Sequence, residues 1–256
     1  MQILGIDIGG SGIKGAPVDI KKGTLTAERH RIPTPQPSLP EDVGNVVAEI
    51  VRHFEWKGPI GCTFPAIIKD GVAYSAANVD PSWIGTNGQQ LITEKTGCST
   101  ILVNDAGAAG IAEMEFGAGR GEKGLVILLT LGTGIGSAFF INGILVPNTE
   151  LGHLEIRGKD AEARASDRVR EEKDLSWSKW GGRVNEFLQH LDFIFSPDLF
   201  IIGGGISKRF DRFIEYIDVN AKVVPAKYLN DSGIIGAAMA AAEVFSKDVD
   251  YKAIAN

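Results

Sequence analysis

The chain has 256 residues, of which 44% are hydrophobic, and a formal net charge of −6 at pH 7, so it is able to bury one large core or two modest ones. The acidic balance is not typical of a general nucleic-acid binder, and no segment approaches the roughly 18 uncharged apolar residues that suggest a membrane span. The first apolar run lacks the pattern of a signal peptide, and Cys62 and Cys98 are isolated in apolar stretches. We therefore expect buried thiols in a cytoplasmic protein with no nucleic-acid or membrane partner.

The first half of the chain is predicted to follow the order strand, glycine turn, strand, strand, helix, strand, helix. A proline-rich connector over residues 33–40 precedes the first helix, and Gly97 closes the second. A short hairpin over residues 67–74 turns at Asp70-Gly71. The predicted strands are residues 2–8, 13–20, 24–32, 58–63 and 99–103, and the predicted helices are residues 41–54, 86–95 and 106–116.

The second half begins again with the same order of elements. Its charged stretch, residues 157–173, mixes both signs and is predicted to be a solvated loop. The predicted strands are residues 124–131, 135–141, 144–146, 198–202 and 222–224, and the predicted helices include residues 178–195 and 210–216.

This repetition predicts two lobes. Residues 1–105 form a small N-terminal lobe, and residues 106–230 form a larger C-terminal lobe. A helix over about residues 231–245 is expected to pack back on the first lobe, and residues 246–256 to be a flexible tail.

One glycine-rich turn follows the first strand of each half, so the chain has two such turns. Glycine adopts left-handed backbone angles and allows close approach, so such turns present N–H groups to a phosphate. In the first turn Lys14 neutralises phosphate charge, and Asp7 holds Mg²⁺ directly or through water. Plain hairpin turns are the alternative for both. The predicted phosphate-binding residues are Gly9, Gly10, Ser11 and Gly12 in the first turn and Gly132, Thr133 and Gly134 in the second.

The pair Asn104-Asp105 ends a predicted strand and opens a predicted helix. Phosphoryl transfer to a hydroxyl needs a base for the hydroxyl proton, and Asp105 is placed for that role. The structural alternative is that Asp105 only caps the helix over residues 106–116.

The motifs and their order resemble those of the ROK family of sugar kinases, within the group of actin-like, sugar-kinase and Hsp70 ATPases. The resemblance implies an α/β fold: an actin-like, ribonuclease H-like duplication of two βββαβα lobes around a central cleft that closes over the sugar. The matching strings are Asp7-Ile-Gly-Gly-Ser-Gly-Ile-Lys14, Asn104-Asp105-Ala106, Leu131-Gly-Thr-Gly-Ile-Gly136, Glu150-Leu-Gly-His153 and Gly203-Gly-Gly-Ile206.

One departure from the family pattern lies after His153. Most ROK kinases continue with a cysteine-rich zinc motif, whereas the run to Ser166 contains no cysteine here. A structural zinc site needs about four ligands, usually thiolate or imidazole, so we predict no zinc. The departure resembles the polyphosphate glucokinase branch of the family.

The resemblance also implies residues for the sugar and for the donor. Gly204, Gly205 and Lys208 would lie at the donor, although a tight strand-to-helix turn is an adequate alternative for the glycines. For the basic residues of the stretch 157–173, a groove for polyphosphate is the alternative to the solvated loop. The implied sugar contacts are Asn78, Asn104, Asp105, Glu150, His153 and Glu162.

We therefore expect a phosphotransferase that moves a phosphoryl group from polyphosphate, and possibly from ATP, to the 6-hydroxyl of glucose, with Mg²⁺ and as a homodimer. One alternative is an ATP-dependent ROK hexokinase acting on glucose or mannose. Another is a sugar-sensing protein without activity. A transcriptional regulator of the same family is disfavoured because the phosphate loop starts by residue 7, which leaves no room for a helix-turn-helix ahead of it.

Overall fold

A computed structural model of the chain describes residues 1–76, 79–228 and 231–254. It divides into two compact units, Met1–Ala112 with Asp231–Asn256, and Glu113–Asn230. The predicted sugar contact Asn78 lies outside the described residues. No helix in the described ranges combines the length and the apolar character needed to cross a lipid bilayer.

The first unit is built on a six-stranded sheet. Strand β1 pairs antiparallel with β2 and parallel with β5, and β8 continues parallel to β5. Because these parallel strands end at one edge, Asp7, Thr63 and Asn104 lie at that edge. The elements are β1 (Gln2–Ile8), β2 (Ile13–Asp19), β3 (Thr24–Leu25), β4 (His30–Ile32), α1 (Pro40–His53), β5 (Ile60–Phe64), β6 (Ile68–Lys69), β7 (Val72–Ala73), α2 (Gly88–Thr96), β8 (Thr100–Asn104) and α3 (Asp105–Phe116).

The single strand predicted over residues 24–32 is wrong, because the structure has two short strands there, β3 and β4, which both pair with β2. The backbone of Pro17 in β2 points toward the edge where β3 and β4 pair, since its carbonyl oxygen accepts a hydrogen bond from the Thr26 N–H at 2.9 Å. Proline has no N–H to return, so the ladder is interrupted at this point.

The second unit contains a five-stranded sheet in the order β11-β10-β9-β14-β15. Strands β9 and β10 form an antiparallel hairpin, and β14 lies parallel to β9 on the other side. The elements are β9 (Leu125–Leu131), β10 (Ile135–Ile141), β11 (Ile144–Val146), β12 (Glu155–Ile156), β13 (Lys159–Asp160), α4 (Glu162–Ala165), α5 (Asp167–Glu172), α6 (Trp177–Phe195), β14 (Leu199–Gly203) and β15 (Lys222–Pro225).

Two predictions for this unit are wrong. The stretch 157–173 is not a loop but forms β13, α4 and α5, because it has apolar residues to bury, Ala161, Ala165 and Val169, on either side of the extended Ser166. The helix predicted over residues 210–216 is replaced by two 3₁₀ segments over Gly205–Arg212 and Ile214–Tyr216, and Arg209 has non-helical backbone angles.

The final helix, α7 (Ser232–Ile254), packs on β1 and β5 of the first unit. A Cβ at Gly5 would lie 1.9 Å from the carbonyl oxygen of Ile234, and one at Gly61 would lie 1.8 Å from that of Ala237. Only glycine allows the helix backbone this close to the strands. The helix extends beyond residue 245, because residues 245–254 contain neither glycine nor proline.

Candidate active site

The first glycine loop joins β1 to β2, and side chains hold its carbonyl groups. The Gly9 N–H donates to the Gly12 carbonyl oxygen at 3.1 Å. Within the described ranges, the N–H groups of Gly10, Ser11 and Gly12 have no protein acceptor. Backbone N–H groups of this kind are able to donate hydrogen bonds to an anion. The side chains that donate to the loop are Thr34 Oγ1 to the Gly9 carbonyl, Gln36 Nε2 to that of Gly10 at 3.2 Å, and Arg31 Nη2 to that of Ser11 at 2.9 Å.

Asp7, one residue before the end of β1, is fixed by its neighbours. Lys14 Nζ lies 3.1 Å from Asp7 Oδ2, and Thr63 Oγ1 donates to Asp7 Oδ1 at 2.7 Å. A Cβ at Gly233, in the first turn of α7, would lie 2.8 to 3.0 Å from the atoms of this carboxylate. The ammonium group opposes a cation bound directly at Oδ2, whereas the remaining lone pairs fit a magnesium ion held through water.

The expectation that both loops need left-handed angles is wrong. None of Gly9, Gly10, Gly12, Gly132 and Gly134 is among the residues with a positive φ. One glycine in each loop instead lies close to the end of a charged side chain, which an added Cβ would displace. The two approaches are those of Arg31 Nη2, 2.5 Å from a Cβ at Gly12, and of Glu162 Oε2, 2.6 Å from a Cβ at Gly134.

Asn104 and Asp105 stand where β8 passes into α3. The Asn104 side chain caps the helix, since its Oδ1 accepts from the Gly107 N–H at 3.0 Å, and its Nδ2 donates to the Ala66 carbonyl oxygen at 3.1 Å. Asp105 is exposed, and its Oδ1 accepts from the Ala106 N–H at 2.8 Å. Asn104 and Asp105 therefore each accept one N–H of the first turn of α3, and the exposed Asp105 is not the sole cap of the helix.

The second glycine loop joins β9 to β10, and the segment after β13 holds it. The Gly132 N–H donates to the Gly134 carbonyl oxygen at 3.0 Å, and the Gly132 carbonyl oxygen accepts from the Arg168 N–H at 3.1 Å. Glu162 Oε2 accepts from the Ile135 N–H at 3.3 Å. A carboxylate thus lies beside this loop, where the first loop has the guanidinium of Arg31.

The structure brings together three predicted sugar contacts, Glu150, His153 and Glu162, and adds Asp160. His153 Nδ1 lies 2.8 Å from Asp160 Oδ2, and one ligand-type atom from each of His153, Asp160 and Glu162 lies within 4.8 Å of the others. Each carboxylate already has a protein partner: Asp160 is hydrogen-bonded to His153, and Glu162 accepts from the Ile135 N–H. These groups form a hydrogen-bonded polar cluster, in which carboxylates and an imidazole are able to bind hydroxyl groups.

The surroundings of this cluster favour the protonated forms of Glu150 and His153. Burial raises the pKa of the half-buried Glu150 carboxyl; the nearby His153 lowers it, and the Glu162 charge raises it further. The pKa of His153 is also raised, chiefly by its hydrogen bond to Asp160. Burial acts in the opposite direction, and the negative charges of Glu162, Asp160 and Glu150 raise the pKa further. His153 is therefore more often protonated near neutral pH than an ordinary histidine.

The third glycine turn follows β14. Gly204 has a φ of +82°, and a Cβ there would lie 2.6 Å from the carbonyl oxygen of Leu131, the last residue of β9. This position needs glycine for both its angle and its contact. Ser207 Oγ donates to the Gly204 carbonyl oxygen at 2.7 Å, whereas Gly205 has open space around it and Lys208 is exposed.

Sequence reasoning missed Arg31 and Asp160 as members of these sites. Arg31 lies opposite Lys14 in the pairing of β2 with β4, and Asp160 lies opposite Glu155 in the pairing of β12 with β13. The signal for Asp160 was the dipeptide Arg157-Gly158, whose positive φ angles of 53° and 73° make the turn of that hairpin. No local signal pointed to Arg31.

Strand hairpins with glycine loops, an exposed aspartate after a parallel strand, and a cluster of carboxylates with one histidine together define a fold of the sugar-kinase class. The model of the ROK family matches residues 3–166, and the chain belongs to this family. The α/β prediction is confirmed.

Relatives of known name cover nearly the whole chain. Polyphosphate glucokinase from Mycobacterium tuberculosis strain H37Rv is 50% identical over 238 residues, which are 93% of this chain and 90% of that protein. The crystal structure of inorganic polyphosphate/ATP-glucomannokinase from Arthrobacter sp. strain KM is 50% identical, with a TM-score of 0.90 over 95% of this chain and 99% of the other.

A more distant structure shares the fold. The ROK family glucokinase from Streptomyces griseus, in complex with glucose and AMPPNP, is 22% identical, with a TM-score of 0.81 over 95% of this chain and 100% of the other.

Proposed function

We propose that this chain transfers a phosphoryl group from inorganic polyphosphate, and from ATP as a second donor, to the 6-hydroxyl of glucose, forming glucose 6-phosphate. The enzyme class and the donor are supported by the names of two relatives that are each 50% identical to the chain. The prediction from the residues and the comparisons agree on this reaction.

The observation that carries the mechanism is the exposed carboxylate of Asp105 beside a helix cap that Asn104 already provides. As the 6-oxygen of glucose attacks the terminal phosphorus, Asp105 accepts the hydroxyl proton. The new oxygen–phosphorus bond forms while the bond to the bridging oxygen breaks, and the shortened polyphosphate or ADP leaves with that oxygen. A positioned base of this kind contributes about 10²–10⁴-fold to the rate.

We assign the transferred phosphate to the first glycine loop. The N–H groups of Gly10, Ser11 and Gly12 are available donors, and Lys14 and Arg31 supply positive charge beside them. Fixed donors and cations stabilise the charge of a loose phosphoryl transition state. The second loop and the Gly204, Gly205 and Lys208 segment are proposed to bind the remainder of the donor.

A divalent cation, Mg²⁺, is proposed to accompany the donor and to neutralise phosphate charge when bound. Asp7 would hold it through water, because Lys14 already pairs with Asp7 Oδ2. Asp7 and Lys14 together then keep the charge of the first loop balanced while phosphate enters.

The acceptor sugar is assigned to Glu150, His153 and Glu162, with Asn104, Asp105 and Asn78 completing the set. A hexose carries hydroxyl groups around its rim, and each unpaired buried polar group costs about 1–3 kcal/mol. A cluster of two carboxylates and an imidazole therefore distinguishes one arrangement of hydroxyls from another.

Initial rates with glucose or mannose as acceptor, each with polyphosphate or ATP, test the proposal. Glucose with polyphosphate is expected to give the highest kcat/KM. A higher value with ATP would favour the ATP-dependent hexokinase, and equal rates with mannose would support the broader specificity named in the Arthrobacter relative. No sugar phosphate with any donor would contradict the proposal.

Two further assignments are part of this proposal. The free thiols of Cys62 and Cys98 support a reducing, cytoplasmic compartment. A homodimer is supported by apolar side chains that are exposed in the second unit on the edge strand β11 and at the end of α6, Ile144 and Phe193 among them. Light scattering during size-exclusion chromatography measures the mass, and a monomer at micromolar concentration would contradict the dimer.

A further inference from the structure

We propose that Asp160 is a positioning residue that holds the His153 ring with Nδ1 protonated and presents Nε2 to a hydroxyl oxygen of the acceptor sugar. This inference rests on the proposed function, because it takes His153 as a sugar contact. Asp160 is not among the residues that the motifs predict for the sugar.

The geometry that carries the inference is a short hairpin. Strands β12 and β13 pair through Glu155 with Asp160 and through Ile156 with Lys159. The Ala161 N–H donates to the Leu154 carbonyl oxygen at 2.8 Å and closes the hairpin at its open end. The hairpin therefore brings Asp160 next to His153, which lies seven residues earlier in the chain. The distance between Asp160 Oδ2 and His153 Nδ1 is 2.8 Å.

The chemistry of the pair determines the state of the ring. An ionised carboxylate only accepts hydrogen bonds, so Nδ1 of His153 carries a hydrogen. Nε2 is then the nitrogen that gains or loses the second ring proton as the pH changes. The side chain of His153 is 60% exposed, so Nε2 is accessible. Second partners of this type fix both the tautomer and the direction of an imidazole.

Three carboxylates face the ring: Asp160 from β13, Glu162 from α4, and Glu150 from the segment before the 3₁₀ turn. Their charges favour the protonated ring, in which Nε2–H is a donor. Glu150 and Glu162 are acceptors for sugar hydroxyl hydrogens, so His153 adds the opposite capacity to the same cluster. Loss of the proton at higher pH removes the donor, and glucose affinity should fall with it.

The decisive measurement is the titration of the His153 ring by NMR. The chain has four histidines, and the His153 signal is identified by its loss in His153→Gln. We expect the pKa of His153 to fall in Asp160→Asn, which keeps the shape of the side chain and removes its charge, and to fall further in Asp160→Ala. Glu155→Gln is the matched control, because it removes an exposed carboxylate directly opposite Asp160 in the same hairpin.

Glucose binding by calorimetry without donor, and steady-state kinetics, provide the second measurement. Loss of one charge-assisted hydrogen bond corresponds to about a tenfold change in affinity, so Asp160→Asn should raise the Kd and KM for glucose about tenfold. Its kcat should stay within about threefold, because Asp160 does not touch the reacting atoms. Glu155→Gln should leave both constants within about twofold.

Two results would overturn the inference: an unchanged His153 pKa and glucose Kd in Asp160→Asn, or equal changes in Glu155→Gln. Far-UV circular dichroism and thermal melting verify that each variant folds, and Asp160→Asn decides the matter if Asp160→Ala does not. The titration requires no turnover. A wild-type protein that phosphorylates no sugar would therefore contradict the proposed function, while the pKa of His153 still tests the role of Asp160.

Discussion

The two units contain the same hairpin and glycine loop, but different side chains hold them. In the first unit Arg31 lies against Gly12 and donates to the loop, and Lys14 follows on β2. In the second unit the carboxylate of Glu162 lies against Gly134 and accepts from the loop. One loop is therefore bordered by Arg31 and by the Lys14–Asp7 ion pair, and the other by the carboxylate of Glu162, although both have the same backbone plan.

The different side chains at the two loops suit the two loops to bind different groups. A phosphate needs N–H donors and positive charge, which the first loop provides. Hydroxyl groups need acceptors, and Glu162 belongs at once to the second loop and to the cluster around His153. We therefore propose that the reacting phosphate binds chiefly at the first unit and that the sugar is selected chiefly by the second.

The largest expected effect tests the first half of that assignment. Asp105→Asn keeps the size of the side chain but removes the base, so kcat should fall by about 10²–10⁴-fold. The KM for glucose should remain within about threefold, because the contacts of the second unit are unchanged. Steady-state kinetics measure both constants. Near-normal kcat would remove Asp105 from the mechanism.

A pair of glycine substitutions tests the comparison directly. Gly12→Ala would displace the guanidinium of Arg31, and Gly134→Ala would displace the carboxylate of Glu162, since each added Cβ lies within 2.6 Å of its neighbour. We expect Gly12→Ala to raise the KM for polyphosphate about tenfold, and Gly134→Ala to raise that for glucose about tenfold, because each loses one charged contact. If both variants change the same constant, the comparison fails.

A smaller effect separates two exposed cations. Arg31 binds the first loop, whereas Lys208 follows the third glycine turn. Arg31→Ala should weaken both donors about as much as Gly12→Ala weakens polyphosphate, whereas Lys208→Ala should have a smaller effect, mainly on long polyphosphate and on its salt dependence. Donor KM values at low and high ionic strength, with chains of two lengths, measure this. The KM for glucose serves as the internal control and should not move in either variant.

The smallest effect concerns stability. The pKa of Glu150 is raised in the folded state, chiefly by burial, so stability is lost as pH rises from the ordinary glutamate pKa to the raised one, and the ionised form destabilises the fold above that range. Glu150→Gln should therefore raise Tm by a few degrees at neutral pH. Below about pH 4 the wild-type carboxyl is protonated in both states, and the difference should vanish. A lower Tm at neutral pH would contradict the cause given for the shift. Glucose binding should weaken in the same variant.

The sequence was sufficient for the elements with long apolar runs. Strands β1, β9 and β10 lie within one residue of their predicted bounds, and the helix predicted over residues 41–54 is α1 (Pro40–His53), with Val43 and Ile50 buried. These elements are specified locally, by periodicity and by the turns that bound them. The positions of Asp105 and both glycine loops follow from the same local signals.

What the sequence did not predict depends on partners distant along the chain. The Pro17 carbonyl points to the edge where β3 and β4 pair with β2, and this divides the predicted strand. Gly12 and Gly134 leave room for the side chains of Arg31 and Glu162, and neither has a positive φ. Asp160 reaches His153 only because a two-residue turn reverses the chain between them. Such contacts are properties of the folded arrangement, and no single window of sequence contains them.

The contact between Gly233 and Asp7 has a consequence for the order in which the protein is made. Residues 113–230 are complete on the ribosome before residue 231 is added, whereas the first unit still lacks α7 at that point. The helix that covers β1 and β5 and lies against Asp7 is synthesised only after the whole of the second unit. The unit that contains β1 is therefore completed after the unit that follows it along the chain, and Asp7 beside the first glycine loop acquires its contact with α7 only then.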